Sequence, residues 1–265
     1  MLKNITIGQY FPGDTVIHKL DPRIKIIITL LFIISLFFID SFIPYFFVVT
    51  FIVISIALSN VPIKFILKGL KPLFIIILIT FAINALLTPG NPLYSVGPLT
   101  VTVEGLRQAI FMALRLVFLI VGTSLLTLTT SPISLTDGIE NLLNPFKKIG
   151  LPSHELAMMM TIALRFIPTL LEETDKIMKA QIARGADFES GNIMNRAKSL
   201  VPLLVPLFIS AFRRADELAM AMEARCYRGG DNRTRMKQLA LEKRDFVALI
   251  ISLLLFGIII VIKYI

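Results

Sequence analysis

The sequence predicts an all-α polytopic membrane protein with about five transmembrane helices and a helical cytoplasmic domain built on two long helices. Three observations predict it. Hydrophobic residues make up 55% of the 265-residue chain and charged residues 17%, against roughly 25% charged in a soluble domain. Several apolar runs approach the roughly 20 residues that a membrane-spanning helix needs. The lysines and arginines of the loops fall in alternate loops, as the positive-inside rule requires.

The first span is expected at residues 24–39, "IKIIITLLFIISLFFI", short and ending before Asp40. The second, at about 44–58, is also short and has Pro44 suited to a helix start. The third is expected at about 73–87, with a possible start before Pro72, the fourth at 106–128 and the last at 246–265. The two short segments need tilt or additional helical turns to cross. Residues 1–20 hold Pro12, Gly13 and Asp14 and no small-residue cleavage site after an apolar core, so no cleaved signal peptide is expected.

Loop charge orients these helices. Lys3, Lys19, Arg23 and Lys25 accompany the start of the first, and Lys64, Lys68 and Lys71 lie between the second and third. The stretch 88–104, "TPGNPLYSVGPLTVTVE", has neither lysine nor arginine. The N-terminus is therefore expected in the cytoplasm and the 88–104 loop outside. The chain then reads as an N-terminal membrane region with four spans (1–130), a cytoplasmic region (131–244) and a C-terminal span (245–265).

The cytoplasmic region opens with a short helix between prolines, "SPISLTDGIENLLNPFKKIGLPSHELA", and Ser153 is the expected N-cap of the next helix. Two stretches, "ELAMMMTIALRFIPTLLEE" and "VPLLVPLFISAFRRADELAMAM", are nearly as apolar as the spans, with charges thickening toward their C-terminal ends. Pro168, Pro202 and Pro206 interrupt these runs and Arg165 falls inside one, which favours long amphipathic helices over two further spans. A helix of about 30 residues reaches about 45 Å. On the second, Ala211, Ala215 and Ala219 recur every four positions, a spacing that lets a neighbouring helix cross closely.

Each long helix closes on a similar device. Ala183, Arg184 and Gly185 end one; Ala224, Arg225 and Cys226 end the other, with Gly229 and Gly230 just beyond. An arginine in the last turn and a glycine after it are ordinary helix terminators. Two arginines at exposed helix ends, each preceded by a small residue, also suit insertion into grooves on a partner, where the planar guanidinium pairs with a carboxylate or backbone carbonyls. Two such ends fit a partner with two equivalent grooves, a dimer.

Other function classes find little support. Cys226 is the sole cysteine, and His18 and His154 lie far apart in sequence, so no metal site is expected. No GxxxxGK[ST] phosphate loop is present, so any ATP must be hydrolysed by another chain. A membrane-embedded lipid-modifying enzyme needs clustered acids or histidines at the membrane face. Glu172, Glu173 and Asp175 read instead as a solvated helix end. A channel or carrier needs facing polar residues within its spans, and the first three hold only Ser35, Thr50, Ser55, Thr80 and Asn84. The net charge of +9 reflects cations on the cytoplasmic face, and no nucleic-acid partner is expected. Arg115 lies about 15 Å into the fourth span. It is expected to face protein, through contact with a membrane partner or through packing against a polar group such as Asn84.

"PGDTVIHKLDPRIK" (12–25), "TTSPISLTDGIENLLNPFKKIGLPSHELAMMMTIALRFIP" (129–168), "AQIARGADF" (180–188) and "RRADELAMAMEARCYRGG" (213–230) together carry a resemblance that runs nearly end to end. The chain resembles the T components, the transmembrane coupling subunits, of energy-coupling factor (ECF) transporters, ABC-type importers of vitamins and metal ions. The last two segments match that family's paired Ala-Arg-Gly motifs, with Cys226 standing where the second has glycine. The resemblance implies a cytoplasmic coupling domain whose two long helices cross beneath the membrane. It also implies two ABC-type ATPase subunits that receive Arg184 and Arg225, and a substrate-binding S component held in the bilayer, which Arg115 could contact. The chain itself would bind no cofactor; ATP and Mg2+ belong to the partner ATPases.

Overall fold

The structure, a computed structural model, describes residues 10–96, 99–186, 188, 193–230 and 239–264. Lys3 and residues 189–192 of the loop after Arg184 lie outside the described residues. The chain divides into two compact units, one of residues 8–138 with 238–265 and one of residues 139–237.

In the first unit, α1 (Pro22–Phe37) starts where Asp21 caps it, its carboxylate accepting from the Arg23 backbone N–H at 2.9 Å with Pro22 in the first turn. After α1 comes α2 (Ile43–Ser59), which ends at Asn60 in the left-handed conformation. A short amphipathic α3 (Ile63–Leu70) carries Lys64 and Lys68. One 3-10 turn at Lys71–Leu73, where Pro72 sits, joins it to α4 (Phe74–Leu87). The stretch expected to be an open 88–104 loop contains an antiparallel hairpin of β1 (Pro92–Val96) and β2 (Leu99–Thr102). From it α5 runs over Val103–Thr129, capped by the Thr102 hydroxyl, which accepts from the Gly105 N–H at 3.0 Å. The final helix, here α9, covers Lys243–Tyr264.

Phe32, Leu36, Tyr45, Val48, Val121, Leu128, Phe256 and Ile259 form the core of this unit, with Phe32, Phe51 and Phe256 in mutual ring contact. Many large apolar side chains stay exposed, among them Phe46, Val53, Ile75, Leu78, Ile83, Ile250, Leu254 and Val261. An apolar exterior of this extent belongs in lipid. The chain is a multi-pass membrane protein.

By length and composition, residues 63–87, 103–129 and 243–262 are long and apolar enough to cross a membrane, and α2 is a shorter apolar helix. At 16 residues α1 is shorter than these, and Ser153–Ala183 of the expected cytoplasmic region also has the length and composition of a span, as the least apolar of the four.

A buried polar cluster ties the start of α9 to the start of α1. Asp245 is 1% exposed; its carboxylate accepts from the backbone N–H groups of Asp21 and Glu242, both at 2.8 Å. Arg23 forks onto Asp21 at 2.7 and 3.0 Å. Lys25 Nζ donates to the carbonyls of His18 and Thr129 and to the Thr130 hydroxyl, so no donor of the buried ammonium is idle.

Arg115 faces a polar group of the chain, though not Asn84. Its Nη2 donates to the Ile39 carbonyl at 3.0 Å, and its guanidinium lies 5.5 Å from the centre of the Phe37 ring. It thus serves a carbonyl of the connection just past the end of α1. The Asn84 side chain instead donates to the Thr80 carbonyl one turn back on its own helix.

Candidate functional site

The second unit contains the two long helices. Following α6 (Pro132–Leu143) and a 3-10 segment at Asn144–Ile149, α7 runs over Ser153–Ala183 and α8 over Ile193–Ala224. Ser153 is not the N-cap expected of it: Pro152 takes that position and Ser153 is the first helical residue. Three cross-helix contacts fix the pairing as antiparallel. Gln181 meets Pro202, Glu173 meets Arg214, and Met158 meets Tyr227 just past the end of α8.

Prolines do not break these helices, and one reason is visible. Pro206 has no N–H, so the Pro202 carbonyl one turn back loses its helical partner. The Gln181 amide, reaching from α7, donates to that carbonyl at 3.4 Å. Between the helices, Ala211, Ala215 and Ala219 border an open apolar cleft of about 490 Å³ with Ile162, Phe166, Ile167 and Leu170 opposite.

Both helices end in the same hydrogen-bonded turn. At the end of α7, the Gly185 N–H donates to the Ile182 carbonyl and the Ala186 N–H to the Gln181 carbonyl, both at 2.9 Å. After α8, the Cys226 N–H donates to Glu223 at 2.8 Å and the Tyr227 N–H to Met222 at 3.0 Å. Each is a complete Schellman cap with the arginine as the last-turn residue and the next residue left-handed. Gly185 has φ +87° and Cys226 φ +55°. A Cβ on Gly185 would meet no atom within 4 Å. Glycine there serves the backbone conformation alone. Cys226 adopts the same conformation at a cost that glycine escapes, on the order of 1–2 kcal/mol.

Ala183, Arg184, Gly185, Ala224, Arg225 and Cys226 are all exposed. Among the described residues, neither guanidinium has a hydrogen bond or an ion pair. Because α7 and α8 are antiparallel, the two arginines lie at opposite ends of the pair. Arg225 lies near the level of residue 160 of α7, so the separation along the helix axis is about 36 Å. Two identical, uncovered, cationic turns at the far ends of one helix pair can present a guanidinium to two separate acceptors at once.

Sequence reasoning found the arginine turns but missed what lies beside the second. His154 Nδ1–H donates to the Glu140 carboxylate of α6 at 3.0 Å, and the Tyr227 hydroxyl sits 3.4 Å from His154 Nε2 and 3.1 Å from Met158 Sδ. The spacing of His154 and Met158, one turn apart on a helix, was the available signal. Among the described residues no group of three or more His, Cys, Asp and Glu could hold a metal ion.

The cobalt transport protein family matches residues 13–236. The chain is 68% identical over 257 residues to the energy-coupling factor transporter transmembrane protein EcfT of Clostridium kluyveri, covering 96% of this chain and 95% of that one. The protein of the same name from Thermosediminibacter oceani is 65% identical, covering 96% of each chain. That of Bacillus subtilis is 51% identical, again covering 96% of each.

Proposed function

The chain belongs to the family of energy-coupling factor transporter transmembrane proteins, and from that premise we propose that it couples two ATPase subunits to a substrate-binding S component of an importer for vitamins, other micronutrients or metal ions. One observation carries the reading: two exposed arginine turns closed by the same hydrogen-bonding pattern, their guanidinium groups unpaired among the described residues, stand at opposite ends of a single antiparallel helix pair.

In this reading α7 and α8 lie on the cytoplasmic side, as does the N-terminus, and each arginine seats in a groove of one ATPase. The chain catalyses nothing; ATP and Mg2+ are bound and ATP hydrolysed by the partners. When the ATPases close on ATP, the two docking points approach each other, and the helix pair must tilt, bend or slide to follow. The open cleft beside Ala215 and the half-exposed Arg214–Glu173 pair at 3.5 Å leave the helices room to shift along one another. Surface pairs of this kind contribute only about 0–1 kcal/mol, so they oppose such a shift weakly. The apolar exterior of the first unit offers the S component a lipid-facing surface, and solute choice belongs to that component.

Affinity purification of the tagged chain from its native membrane in mild detergent tests this reading. Two ABC-type ATPase subunits and a small membrane protein are expected to co-purify. Isolation of the chain alone, with solute transport or lipid-modifying activity retained, would contradict it.

A further inference from the structure

The two arginine turns share a backbone but differ in what holds them. Two residues after Arg184 stands Ala186, whose side chain is one methyl group. Two residues after Arg225 stands Tyr227. Its backbone N–H closes the Schellman cap on Met222 at 3.0 Å, and its hydroxyl reaches His154 and Met158 in the first turns of α7. His154 is held from its other side by Glu140 of α6 at 3.0 Å. Gly230 completes the cluster: a Cβ there would overlap the His154 ring, so the chain after the turn runs directly against the imidazole. The Arg184 end has no comparable anchor among the described residues beyond the exposed Gln181–Pro202 contact one turn before it.

We propose that Tyr227, His154 and Glu140, with Gly230 packed on the histidine, are positioning residues that fix the direction in which Arg225 is presented, and that the two arginine turns are therefore unequal. The proposal rests on the coupling reading above. Tyr227 is covalently two residues from the arginine and shares its capping turn, so any displacement of the ring is transmitted through two peptide units to the Arg225 Cα. Tyr227 acts through Arg225.

The test is a mutant cycle on the full chain in nanodiscs, titrated with its ATPase pair, with uptake measured after reconstitution with the S component. Tyr227→Phe removes only the hydroxyl, and Gly230→Ala disturbs the cluster from the other side. Each is made in the natural chain and in Arg225→Lys and Arg184→Lys backgrounds. Coupled residues in contact or in one network show non-additive effects, so Tyr227→Phe is expected to weaken ATPase binding about 3–10-fold in the natural and Arg184→Lys backgrounds and less than about twofold in the Arg225→Lys background. Gly230→Ala should follow the same pattern. Equal weakening in all three backgrounds would overturn the proposal, because it would mark a general loss of structure. Unchanged binding by both variants would overturn it as well. If Arg225→Lys itself leaves binding and uptake intact, the coupling reading fails first and the positioning role falls with it.

Discussion

Replacing Arg184 and Arg225 together with alanine is expected to abolish ATP-driven uptake, either by releasing the ATPases or by leaving them bound and hydrolysing without transport. The size of the effect separates the two roles an arginine can have at a helix end. As a terminator, each contributes a dipole interaction of up to about 1 kcal/mol, and the Schellman turns that close both helices are made by backbone groups that survive the substitution. As a buried anchor in a partner groove, each truncation strands an acceptor, and such losses run about 2–5 kcal/mol. At about 1.4 kcal/mol per tenfold, that is roughly 30-fold or more in affinity per site. Each single variant is expected to be impaired, since the two turns lie about 36 Å apart along the helix pair and cannot substitute for one another. The readout is uptake into proteoliposomes, with subunit content determined on the same sample. Full uptake by the double variant with both ATPases present would reduce the arginines to helix terminators.

The second large effect is on stability and lies in the membrane unit. Asp245→Ala is expected to destabilise the protein by about 3–5 kcal/mol. Its carboxylate is 1% exposed and is the acceptor for two buried backbone donors, Asp21 N–H and Glu242 N–H. Hydrogen bonds to charged groups contribute about 1.5–3 kcal/mol each, and a stranded buried donor retains its full desolvation cost. Asp245→Asn should fall between, because an amide offers one acceptor where the carboxylate offered two. Thermal unfolding in detergent measures this, and the surviving folded fraction should still bind ATPases, since α7 and α8 are in the other unit. An unchanged midpoint for Asp245→Ala would show that the start of α9 is held by other contacts.

Asp245 also illustrates what the sequence could and could not convey. The apolar runs located α1, α2, α4, α5 and α9 to within a few residues because burial in lipid and helical periodicity both write directly into composition. The arginine turns were legible because arginine followed by a left-handed residue is a local pattern. Partnerships across the chain were not. Asp245 reaches back 224 positions to Asp21, and Tyr227 reaches back to His154; no local pattern encodes either pairing. The Pro202 carbonyl of α8, served by Gln181 from another helix, is a further pairing of this kind. The β1–β2 hairpin was missed although Val96, Thr100, Val101 and Thr102 around Gly97-Pro98 have the β-branched composition of strands.

The claim that the two turns engage two ATPases is tested most directly by contact. A photo-crosslinking amino acid is placed at Arg184 or at Arg225 in the assembled complex, with Cys226→Ser as the background. Irradiation is expected to join each position to an ATPase subunit, and a chain labelled at both positions is expected to capture two ATPase copies at once. Crosslinks from either position to the S component or to lipid, with no ATPase captured, would contradict the account.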